Sequence, residues 1–339
     1  MTEKIREGIL FIQKLSFYKI YNIILLRLSY TISRKFRKPF HLGKPLGISI
    51  EPTTSCNLRC PECPSGLRSF SRSTGMLDEA VYEVLINEVA PYISYLSLYF
   101  QGEPYLNPNF LKFVRYASKK NIFTATSTNA HYFDEEISRK TVQSGLDKLI
   151  ISIDGTDQDT YAKYRVGGNL DKVIQGTERL IKWKKKLKSK RPFIILQFIV
   201  FKSNQHQLNR IKEIAKQLGV DKLSIKTAQI YNFESKSDII PDNSQYSRYK
   251  KLNGVFAINN TMSNNCWRMW SSCVITWDGK MVPCCFDKDA HYVLGDVYKK
   301  KFINIWKSDA QQEFRQRVLK SRKDIDICKN CSEGSKIWV

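Results

Sequence analysis

The sequence predicts an α/β protein: a partial (β/α)6 TIM-like barrel followed by a small cysteine-rich C-terminal domain. Short apolar runs, typical of buried parallel strands, alternate with helical patterns through the middle of the chain. This alternation stops near Tyr231. Six of the nine cysteines then lie in the last part of the chain, beyond residue 264. These three observations divide the protein into a large α/β part and a small part of different character.

Six apolar runs supply the strands of the predicted barrel. They are residues 46–51, 95–100, 122–128, 148–154, 193–200 and 222–228. Helical patterns such as LDEAVYEVLINEVAPYI and NFLKFVRYASKK lie between them, and Gly219 stands where the last helix should end. Repeats of this kind favour right-handed β-α-β units that close into part of a barrel. In such a barrel the chemistry lies at the carboxyl ends of the strands.

The predicted organisation has four parts. A basic amphipathic helical segment covers residues 1–45, and the barrel covers residues 46–232. A polar, turn-rich linker covers residues 233–264, and the cysteine-rich domain covers residues 265–339. Within that domain VITWDGKMVP predicts a hairpin that turns at an Asp-Gly pair, 278–279. Because so small a domain cannot bury much core, we expect a metal cluster to stabilise it.

Basic residues are concentrated in the first segment of this chain of net charge +23. Eight Lys or Arg and no Asp or Glu lie between Gly8 and Ile50. The pattern is typical of a helix that lies on an anionic membrane surface through residues 8–38, and equally of one that packs on the main domain with a solvated basic rim. A second basic run at 182–191 ends a helix and is interpreted as a solvated face. No nucleic-acid motif accompanies it, so nucleic acid is not an expected partner.

Cysteine usage predicts the compartment. An odd number of cysteines in CxxxCxxC and CxxC spacings favours metal ligation over a disulfide framework. No secretory signal is visible, and the run IYNIILL is too short to span a bilayer. We therefore expect a cytoplasmic protein with reduced thiols, which contacts the inner face of the membrane if its first segment binds lipid.

The stretch SIEPTTSCNLRCPECPSG places Cys56, Cys60 and Cys63 on one loop after the first predicted strand. A structural zinc site or a four-iron cluster with only protein ligands needs four. If these three thiolates hold a four-iron cluster, one iron is left open to bind an exogenous ligand, which is a catalytic arrangement. The alternative is a zinc site that adds a distant histidine, of which the chain has four.

CxxxCxxC in a loop after the first strand of a partial barrel resembles the radical S-adenosylmethionine superfamily. In that family the open iron is chelated by the amino and carboxylate groups of S-adenosylmethionine. The reduced cluster cleaves the cofactor to methionine and a 5′-deoxyadenosyl radical, which takes a hydrogen atom from the substrate. The resemblance implies S-adenosylmethionine as cofactor and an external electron donor such as flavodoxin or ferredoxin.

Further positions are similar to the family's cofactor site. FQGEP resembles its GGEP motif: Gly102 would let the backbone approach, Glu103 would accept the ammonium charge and Pro104 would fix the turn. Gln101 and Glu62 stand where the family has a glycine and an aromatic residue. The same resemblance implies cofactor contacts from residues at the ends of later strands: Ser127, Asn129, Ser152, Asp154 and Arg165, with Gln197 and Asn204 as additional candidates.

The C-terminal cysteines resemble a SPASM domain in its shortened "twitch" form, which holds an auxiliary four-iron cluster. The resemblance covers residues 46–335 and implies two [4Fe-4S] clusters in the chain. It implies four ligands for a closed auxiliary cluster: Cys266, Cys284, Cys328 and Cys331. Cys273 and Cys285 are left over and are expected to be free buried thiols.

The resemblance implies an oxidoreductase or maturase-type enzyme. The auxiliary cluster would accept an electron from a substrate radical or help to hold the substrate. The substrate classes that fit are a peptide or protein to be modified, a small molecule to be dehydrogenated, and a lipid, which the basic first segment favours. The alternative is a non-catalytic iron–sulfur electron carrier or scaffold, which leaves the open three-cysteine site and the GEP turn without a purpose.

Overall fold

A computed structural model describes residues 3–231, 233, 238–259 and 262–331. The helices are α1 (Glu3–Ile12), α2 (Phe17–Phe36), α3 (Pro64–Leu67), α4 (Glu79–Val89), α5 (Phe110–Lys119), α6 (Glu135–Gln143), α7 (Gln158–Tyr164), α8 (Leu170–Lys186), α9 (Leu208–Leu218), α10 (Arg268–Ser271), α11 (Phe302–Trp306), α12 (Asp309–Ser321) and α13 (Asp326–Lys329). The strands are β1 (Gly47–Ile50), β2 (Tyr95–Ser97), β3 (Phe123–Thr128), β4 (Lys148–Ser152), β5 (Phe193–Val200), β6 (Lys222–Thr227), β7 (Tyr249–Leu252), β8 (Val255–Ile258), β9 (Ser272–Ile275), β10 (Lys280–Val282) and β11 (Gly295–Asp296).

The main sheet has nine strands in the order β11-β10-β9-β1-β2-β3-β4-β5-β6. Strands β1 to β6 run parallel, each beside its predecessor, with helices in the connections. The six predicted strands and the partial (β/α)6 barrel are therefore confirmed. Aliphatic side chains of these strands, such as Leu96, Leu149 and Leu196, lie fully buried in the core.

Short polar side chains fix where the helices of the barrel begin. Asp78, Asp134 and Asn169 each accept hydrogen bonds from backbone N–H groups in the first turn of α4, α6 and α8. Gly219 ends α9 in a left-handed conformation with φ of 73°, as predicted, because a side chain is disfavoured in that conformation. These boundaries place the strand-to-helix loops together at the carboxyl edge of the sheet.

The cysteine-rich part of the chain continues the sheet of the barrel. Strand β9 pairs in parallel with β1, and the predicted hairpin turns at Asp278 and Gly279 between β9 and β10. Trp270 and Trp306 are fully buried in the same hydrophobic core as the barrel strands. The expectation that this part buries little core is wrong, because it packs directly on the barrel and shares its core.

The segment predicted as a linker contains regular structure. Strands β7 and β8 form an antiparallel hairpin, and Tyr249 of β7 stacks on Phe233 with ring centroids 4.7 Å apart. Aromatic contacts between residues distant in the chain stabilise this hairpin, and turn-rich composition alone does not predict them. The predicted linker residues 234–237, 260 and 261, and the predicted domain residues 332–339, lie outside the described residues.

Both N-terminal helices pack on the main body. The ring of Phe11 in α1 meets the edge of Phe123 at the start of β3, with ring centroids 5.7 Å apart. On α2, Leu26 is fully buried and Tyr30 packs against Trp267. One face of α2 therefore packs on the main domain, as in the second interpretation of residues 8–38, whereas its other face is exposed. Among the described residues no single helix is long and apolar enough to cross a membrane; α1 and α2 pass that test only as a pair, and they are bent by 111°.

Candidate active site

The three-cysteine loop begins directly after β1 and is fixed at both ends. At its root the buried carboxylate of Glu51 accepts two hydrogen bonds from Arg72, of 2.8 and 2.6 Å. At its far end Cys63 precedes the first turn of α3. The chain turns so tightly that a Cβ atom on Gly66 would lie 2.5 Å from the backbone nitrogen of Cys60. The loop is thus a rigid platform at the carboxyl edge of the sheet.

The thiols of this loop are held in a desolvated setting. The backbone N–H of Leu58 donates to the sulfur of Cys56 over 3.4 Å, and Nη1 of Arg165 lies 3.9 Å from the sulfur of Cys60. Burial raises the pKa of Cys56 to about 12 and also raises the pKa of Cys60. Without a metal the thiols of Cys56 and Cys60 are therefore protonated at neutral pH, and metal binding must displace their protons.

A single zinc ion and a four-iron cluster place different demands on the three thiols of this loop. Among the described residues, no three Cys, His, Asp or Glu side chains are placed to hold one metal ion. A zinc ion lies about 2.0 to 2.3 Å from each of its four ligand atoms, which brings those atoms close together. A four-iron cluster is larger and holds its thiolates further apart, so three thiols on one loop are suited to it.

The GEP turn is joined to the cysteine loop by its backbone. Gly102 has a φ of 74°, and a Cβ atom there would lie 2.3 Å from the carbonyl oxygen of Thr53. Its N–H donates to Oγ of Ser65 over 2.8 Å, and the N–H of Glu103 donates to the carbonyl of Ser55 over 2.8 Å. Only glycine allows this close approach. The turn predicted to meet the cofactor is therefore adjacent to the predicted cluster ligands.

The carboxylate of Glu103 connects two strand ends. It accepts a hydrogen bond from Oγ1 of Thr128 over 2.7 Å and one from the backbone N–H of Asn129 over 2.8 Å. Burial raises the pKa of Glu103 to about 7. The group lines the central cavity and can still accept a bond from a cationic ligand, because each carboxylate oxygen has two lone pairs. Pro104 begins a short 3₁₀ helix behind it and does not line the cavity.

Four further predicted residues line the same cavity. They are Ser127 and Asn129 at the end of β3, Ser152 at the end of β4, and Gln197 within β5. The side-chain amide of Asn129 donates to Oδ1 of Asn57 over 2.8 Å and lies 4.0 Å from the sulfur of Cys56. These polar groups therefore face the region beside the three thiols.

Asp154 occupies a different place from the one predicted. Its side chain is 1% exposed and does not line the cavity. It accepts hydrogen bonds from Nε of Arg165 over 2.6 Å and from the backbone N–H of Ile199 over 2.7 Å. A buried carboxylate needs such partners, and Arg165 supplies the charge. Asp154 thus positions Arg165, which itself lines the cavity.

Asn204 and Glu62 also differ from the family pattern. The amide of Asn204 is fully buried and donates to the carbonyls of Asp154 and Ile199, so it supports the loop after β4 and does not line the cavity. Glu62 does line the cavity, where its carboxylate accepts a bond from the backbone N–H of Tyr231 over 2.9 Å. A carboxylate therefore stands where an aromatic ring would lie beside adenine.

The four C-terminal thiols predicted as auxiliary ligands come together from distant parts of the chain. The thiol of Cys284, after β10, interacts electrostatically with those of Cys266 and Cys328, and Cys328 interacts with Cys331. Burial raises the pKa of Cys328 to about 11. All nine cysteines are free thiols, so no disulfide competes for these groups.

Sequence reasoning missed Arg322, which lies among the auxiliary thiols. Its side chain is 1% exposed, and Nη2 lies 2.9 Å from the sulfur of Cys331. Burial opposes its charge, but the thiols of Cys266, Cys331 and Cys328 outweigh burial and raise its pKa. A buried cation here offsets the negative charge of a thiolate cluster. No spacing rule could have selected it from the 55 Lys and Arg of the chain.

The two leftover cysteines have different surroundings. Cys273 on β9 is 2% exposed and lies in the hydrophobic core, as expected of a free buried thiol. Cys285 lines the central cavity instead, with its sulfur 3.7 Å from Nη1 of Arg268. Cys285 follows Cys284 in a turn, where its thiol interacts electrostatically with those of Cys284 and Cys331. Cys285 therefore borders both the cavity and the auxiliary thiols.

One cavity of about 560 Å³ joins these features. The three thiols of the first loop and the GEP turn line one end, and Cys285, Arg248 and Arg268 line the other. Its size is ordinary for a site that binds a small molecule. A cofactor at the first loop would therefore share one cavity with a substrate placed toward the C-terminal thiols.

Two protein families match this chain. Residues 50–189 match the radical SAM superfamily, and residues 266–332 match SPASM, an iron-sulfur cluster-binding domain. A relative from Pyrococcus furiosus, a tungsten-containing aldehyde ferredoxin oxidoreductase cofactor-modifying protein, is 25% identical over 84% of this chain and 86% of its own length. The S-adenosyl-L-methionine-dependent 2-deoxy-scyllo-inosamine dehydrogenase of Niallia circulans is 22% identical over 85% of this chain and 93% of its own length.

The fold matches solved structures as well. The crystal structure of Streptococcus suis SuiB bound to precursor peptide SuiA has a TM-score of 0.63 and 14% identity, and the match covers 90% of this chain and 74% of that one. At this identity the likeness concerns the fold alone. It extends over both the barrel and the cysteine-rich part.

Proposed function

Because this chain belongs to the radical S-adenosylmethionine superfamily and carries a C-terminal SPASM domain, we propose that it is an enzyme that abstracts a hydrogen atom from a substrate bound in the central cavity. The observation that supports this most is the cavity itself. It is lined by Cys56, Cys60 and Cys63 together with the Gly102–Glu103 turn and polar side chains of β3 to β5.

The residues of the first loop and the strand ends have separable roles. When bound, a reduced four-iron cluster supplies the electron that cleaves S-adenosylmethionine to methionine and a 5′-deoxyadenosyl radical. Cys56, Cys60 and Cys63 would hold three of its irons. Glu103 offers a carboxylate to the amino group of the cofactor, and Arg165, oriented by Asp154, offers a cation to its carboxylate.

The C-terminal thiols serve the other half of the reaction. Cys266, Cys284, Cys328 and Cys331 would hold a closed cluster, and Arg322 offsets its charge. We assign this cluster the role of accepting an electron from the substrate. The electron for the first cluster comes from an external donor such as flavodoxin or ferredoxin, and the net charge of +23 favours an acidic partner.

The substrate is a peptide or a small molecule. Similarity to a dehydrogenase of 2-deoxy-scyllo-inosamine supports a small molecule, and likeness in fold to SuiB with its precursor peptide is compatible with a peptide. The cavity volume of about 560 Å³ is suited to a small molecule or to one side chain of a peptide.

The decisive experiment is cofactor cleavage by the reconstituted protein. After anaerobic reconstitution and chemical reduction, we expect the wild-type chain to form 5′-deoxyadenosine from S-adenosylmethionine, and a Cys56→Ala, Cys60→Ala, Cys63→Ala triple variant to form none. Cys273→Ala is the matched control, because its thiol lies in the core, away from both sites. If wild type binds iron but forms no 5′-deoxyadenosine, the electron carrier is the better description.

A further inference from the structure

The N-terminal segment carries most of the exposed apolar surface of the protein. Of the 24 large apolar side chains that are exposed in the described residues, 13 lie between Ile5 and Leu42. On α2 they recur every three or four residues and so share one face, which we call the apolar strip: Phe17, Tyr21, Ile24, Leu28, Ile32 and Phe36. Phe17, at its start, is 93% exposed. Soluble monomers seldom expose so continuous an apolar surface without a partner.

The opposite face of α2 fixes the helix to the main body. Asn22 donates to the carbonyl of Lys44 over 2.8 Å, and Ser33 donates to the carbonyl of Phe40 over 2.8 Å. Leu26, between them on the same face, is fully buried. The apolar strip is therefore carried on a helix whose inner face already has its partners, so the strip itself remains for a partner outside this chain.

Cations surround one end of the apolar strip. Four exposed ones lie in and after the last turn of α2: Arg34, Lys35, Arg37 and Lys38. Lys35 belongs to the face of the strip, because it follows Ile32 by three residues and Leu28 by seven. No acidic residue occurs between positions 8 and 50. In the part of the chain that the structure describes, none of these four cations forms an ion pair with a carboxylate.

Three of these cations line one cavity beside the strip. It has a volume of about 350 Å³, and Arg34, Lys35 and Arg37 line it together with Thr31 and Asn265. The guanidinium of Arg37 is held there, because its Nη1 donates to the backbone carbonyl of the residue before Asn265 over 2.9 Å. Guanidinium and ammonium groups gathered in this way are suited to a phosphate group.

This end of the molecule remains positive when the neighbouring helix α12 is included. Gln316 of α12 donates to the carbonyl of Arg37 over 3.3 Å. Glu313, one turn before Gln316, is exposed, and so is Lys320, one turn after it. The carboxylate and the ammonium group of α12 offset each other, so the cations of the N-terminal segment remain in excess.

We propose that the apolar strip docks on an anionic lipid surface, with its apolar side chains in the headgroup region and the cations at lipid phosphates. An apolar face bordered by cations and free of carboxylates is complementary to such a surface. A second copy packed strip against strip would place these cations beside a segment without carboxylates, which is unfavourable. The inference is independent of the proposed function, because no residue of the strip lines the central cavity.

The structure also sets the orientation of α2 on the lipid. One face of α2 is packed on protein along its length, so lipid cannot surround the helix, and it lies along the surface without crossing it. A second row of exposed side chains at helical spacing, Ile5, Ile9 and Ile12, lies on α1. These side chains extend the apolar surface of the segment beyond α2.

Vesicle sedimentation with the full, reconstituted chain tests the proposal. We expect binding to phosphatidylcholine vesicles that contain phosphatidylglycerol, and little binding to pure phosphatidylcholine. Binding should weaken as salt rises, because the Debye length falls from about 10 Å at 0.1 M to about 3 Å at 1 M.

Two strip residues are substituted to test the apolar contribution. The double variant Ile24→Gln, Leu28→Gln should bind anionic vesicles at least about tenfold more weakly, because it removes two apolar side chains without touching the packed face. The matched control is Val84→Gln, Val293→Gln, which makes the same kind of change at two exposed apolar positions outside the segment. It should bind as wild type does.

Two cations are substituted to test the contribution of charge. Lys35→Gln, Lys38→Gln should weaken binding to anionic vesicles about twentyfold, since each cation near a charged surface contributes about fivefold. The control is Lys182→Gln, Lys185→Gln, which removes two exposed cations from α8 and leaves the same net charge. It should bind nearly as tightly as wild type, because α8 is not part of the docking face.

Folding and activity of the variants are checked in parallel. All substituted side chains are exposed, so each thermal unfolding midpoint should stay within about 2 °C of wild type. None of them lines the central cavity, so formation of 5′-deoxyadenosine should be unchanged. Point variants are preferable to removing the segment, because Leu26 and Tyr30 are part of the packed structure.

Four results would contradict the lipid surface. The first two are no sedimentation with anionic vesicles and equal sedimentation of the strip variant. The third is an equal loss in the α8 control, which would assign binding to the overall charge of the protein. The fourth is a concentration-dependent dimer in light scattering that the strip variant abolishes, which would assign the strip to a second copy of the chain.

Discussion

The two groups of thiols differ in how they are assembled and in what surrounds them. Cys56, Cys60 and Cys63 lie on one short loop that opens onto the cavity. The four C-terminal thiols come from three separate segments, and the buried cation Arg322 interacts with three of them, Cys266, Cys328 and Cys331. A set of three beside a cavity can bind an exogenous ligand, whereas a set of four beside a buried cation is closed. Because the two sets of thiols are separate, we expect substitutions in one set or the other to remove radical formation or electron acceptance independently.

The largest effect is expected from Cys60→Ala. Loss of one of only three ligands should release the first cluster, so iron should fall from about eight to about four atoms per chain. Formation of 5′-deoxyadenosine should fall by at least about a thousandfold, because no other group can supply the electron. Iron analysis and product chromatography measure both. Retention of half the cleavage activity would remove the distinction between the two sets.

A smaller and more selective effect is expected from Cys331→Ala. We expect turnover of the true substrate to be lost while uncoupled 5′-deoxyadenosine formation stays within about threefold of wild type, since only the closed set is opened. Stability should fall modestly, because the C-terminal part shares the core of the barrel. Parallel loss of 5′-deoxyadenosine with an intact first cluster, checked by spectroscopy, would contradict the division of labour.

Arg322→Met should change the auxiliary cluster without removing a ligand. Removing a buried cation beside four thiolates makes reduction of the cluster less favourable. We therefore expect a more negative reduction potential for the auxiliary cluster and no change in the potential of the first cluster. Redox titration followed by electron paramagnetic resonance measures both potentials. Lys320→Met, an exposed neighbour on α12, is the control. An equal shift of both clusters would show that the cation acts at long range.

The smallest effect is expected at His41, which packs against residues of the C-terminal part of the chain. Its ring packs on Trp306, and Nε2 lies 3.1 Å from the carbonyl oxygen of Trp270. Burial lowers its pKa from 6.5 to about 3. The folded state therefore excludes a proton that the unfolded chain accepts.

The stability that His41 contributes is present above pH 6.5 and is lost as the pH falls toward 3, at up to about 1.4 kcal/mol per pH unit. Thermal unfolding at pH 7.5 and 5.5 should show a larger loss for wild type than for His41→Gln. Equal losses would mean that His41 does not control this region's response to acid.

Local patterns in the sequence were sufficient for the first set of thiols. The three cysteines, the strand before them and the GEP turn are each continuous in sequence, so spacing and periodicity predict them. The juxtaposition of Gly102 with the cysteine loop follows from the parallel order of β1 and β2.

Tertiary contacts decided the rest. The surroundings of Arg322 and Cys285 depend on how the C-terminal segments fold against one another, and neither residue belongs to a spacing rule. Asp154 follows a strand end and so resembles a cofactor ligand, but Arg165 and the N–H of Ile199 occupy its oxygens. The shared core around Trp270 could not be predicted, because it depends on where β9 joins the sheet.

The position of β9 beside β1 also sets the order in which the protein can be completed during translation. Strand β1 ends at Ile50 and its partner β9 begins at Ser272, so some 220 residues separate them. At typical synthesis rates the exposed edge of β1 waits on the order of tens of seconds for its neighbour. During that time its unpaired N–H and C=O groups offer a template for wrong strand partners. Cells that make this protein quickly should therefore need chaperones, or low temperature, to obtain it in soluble form.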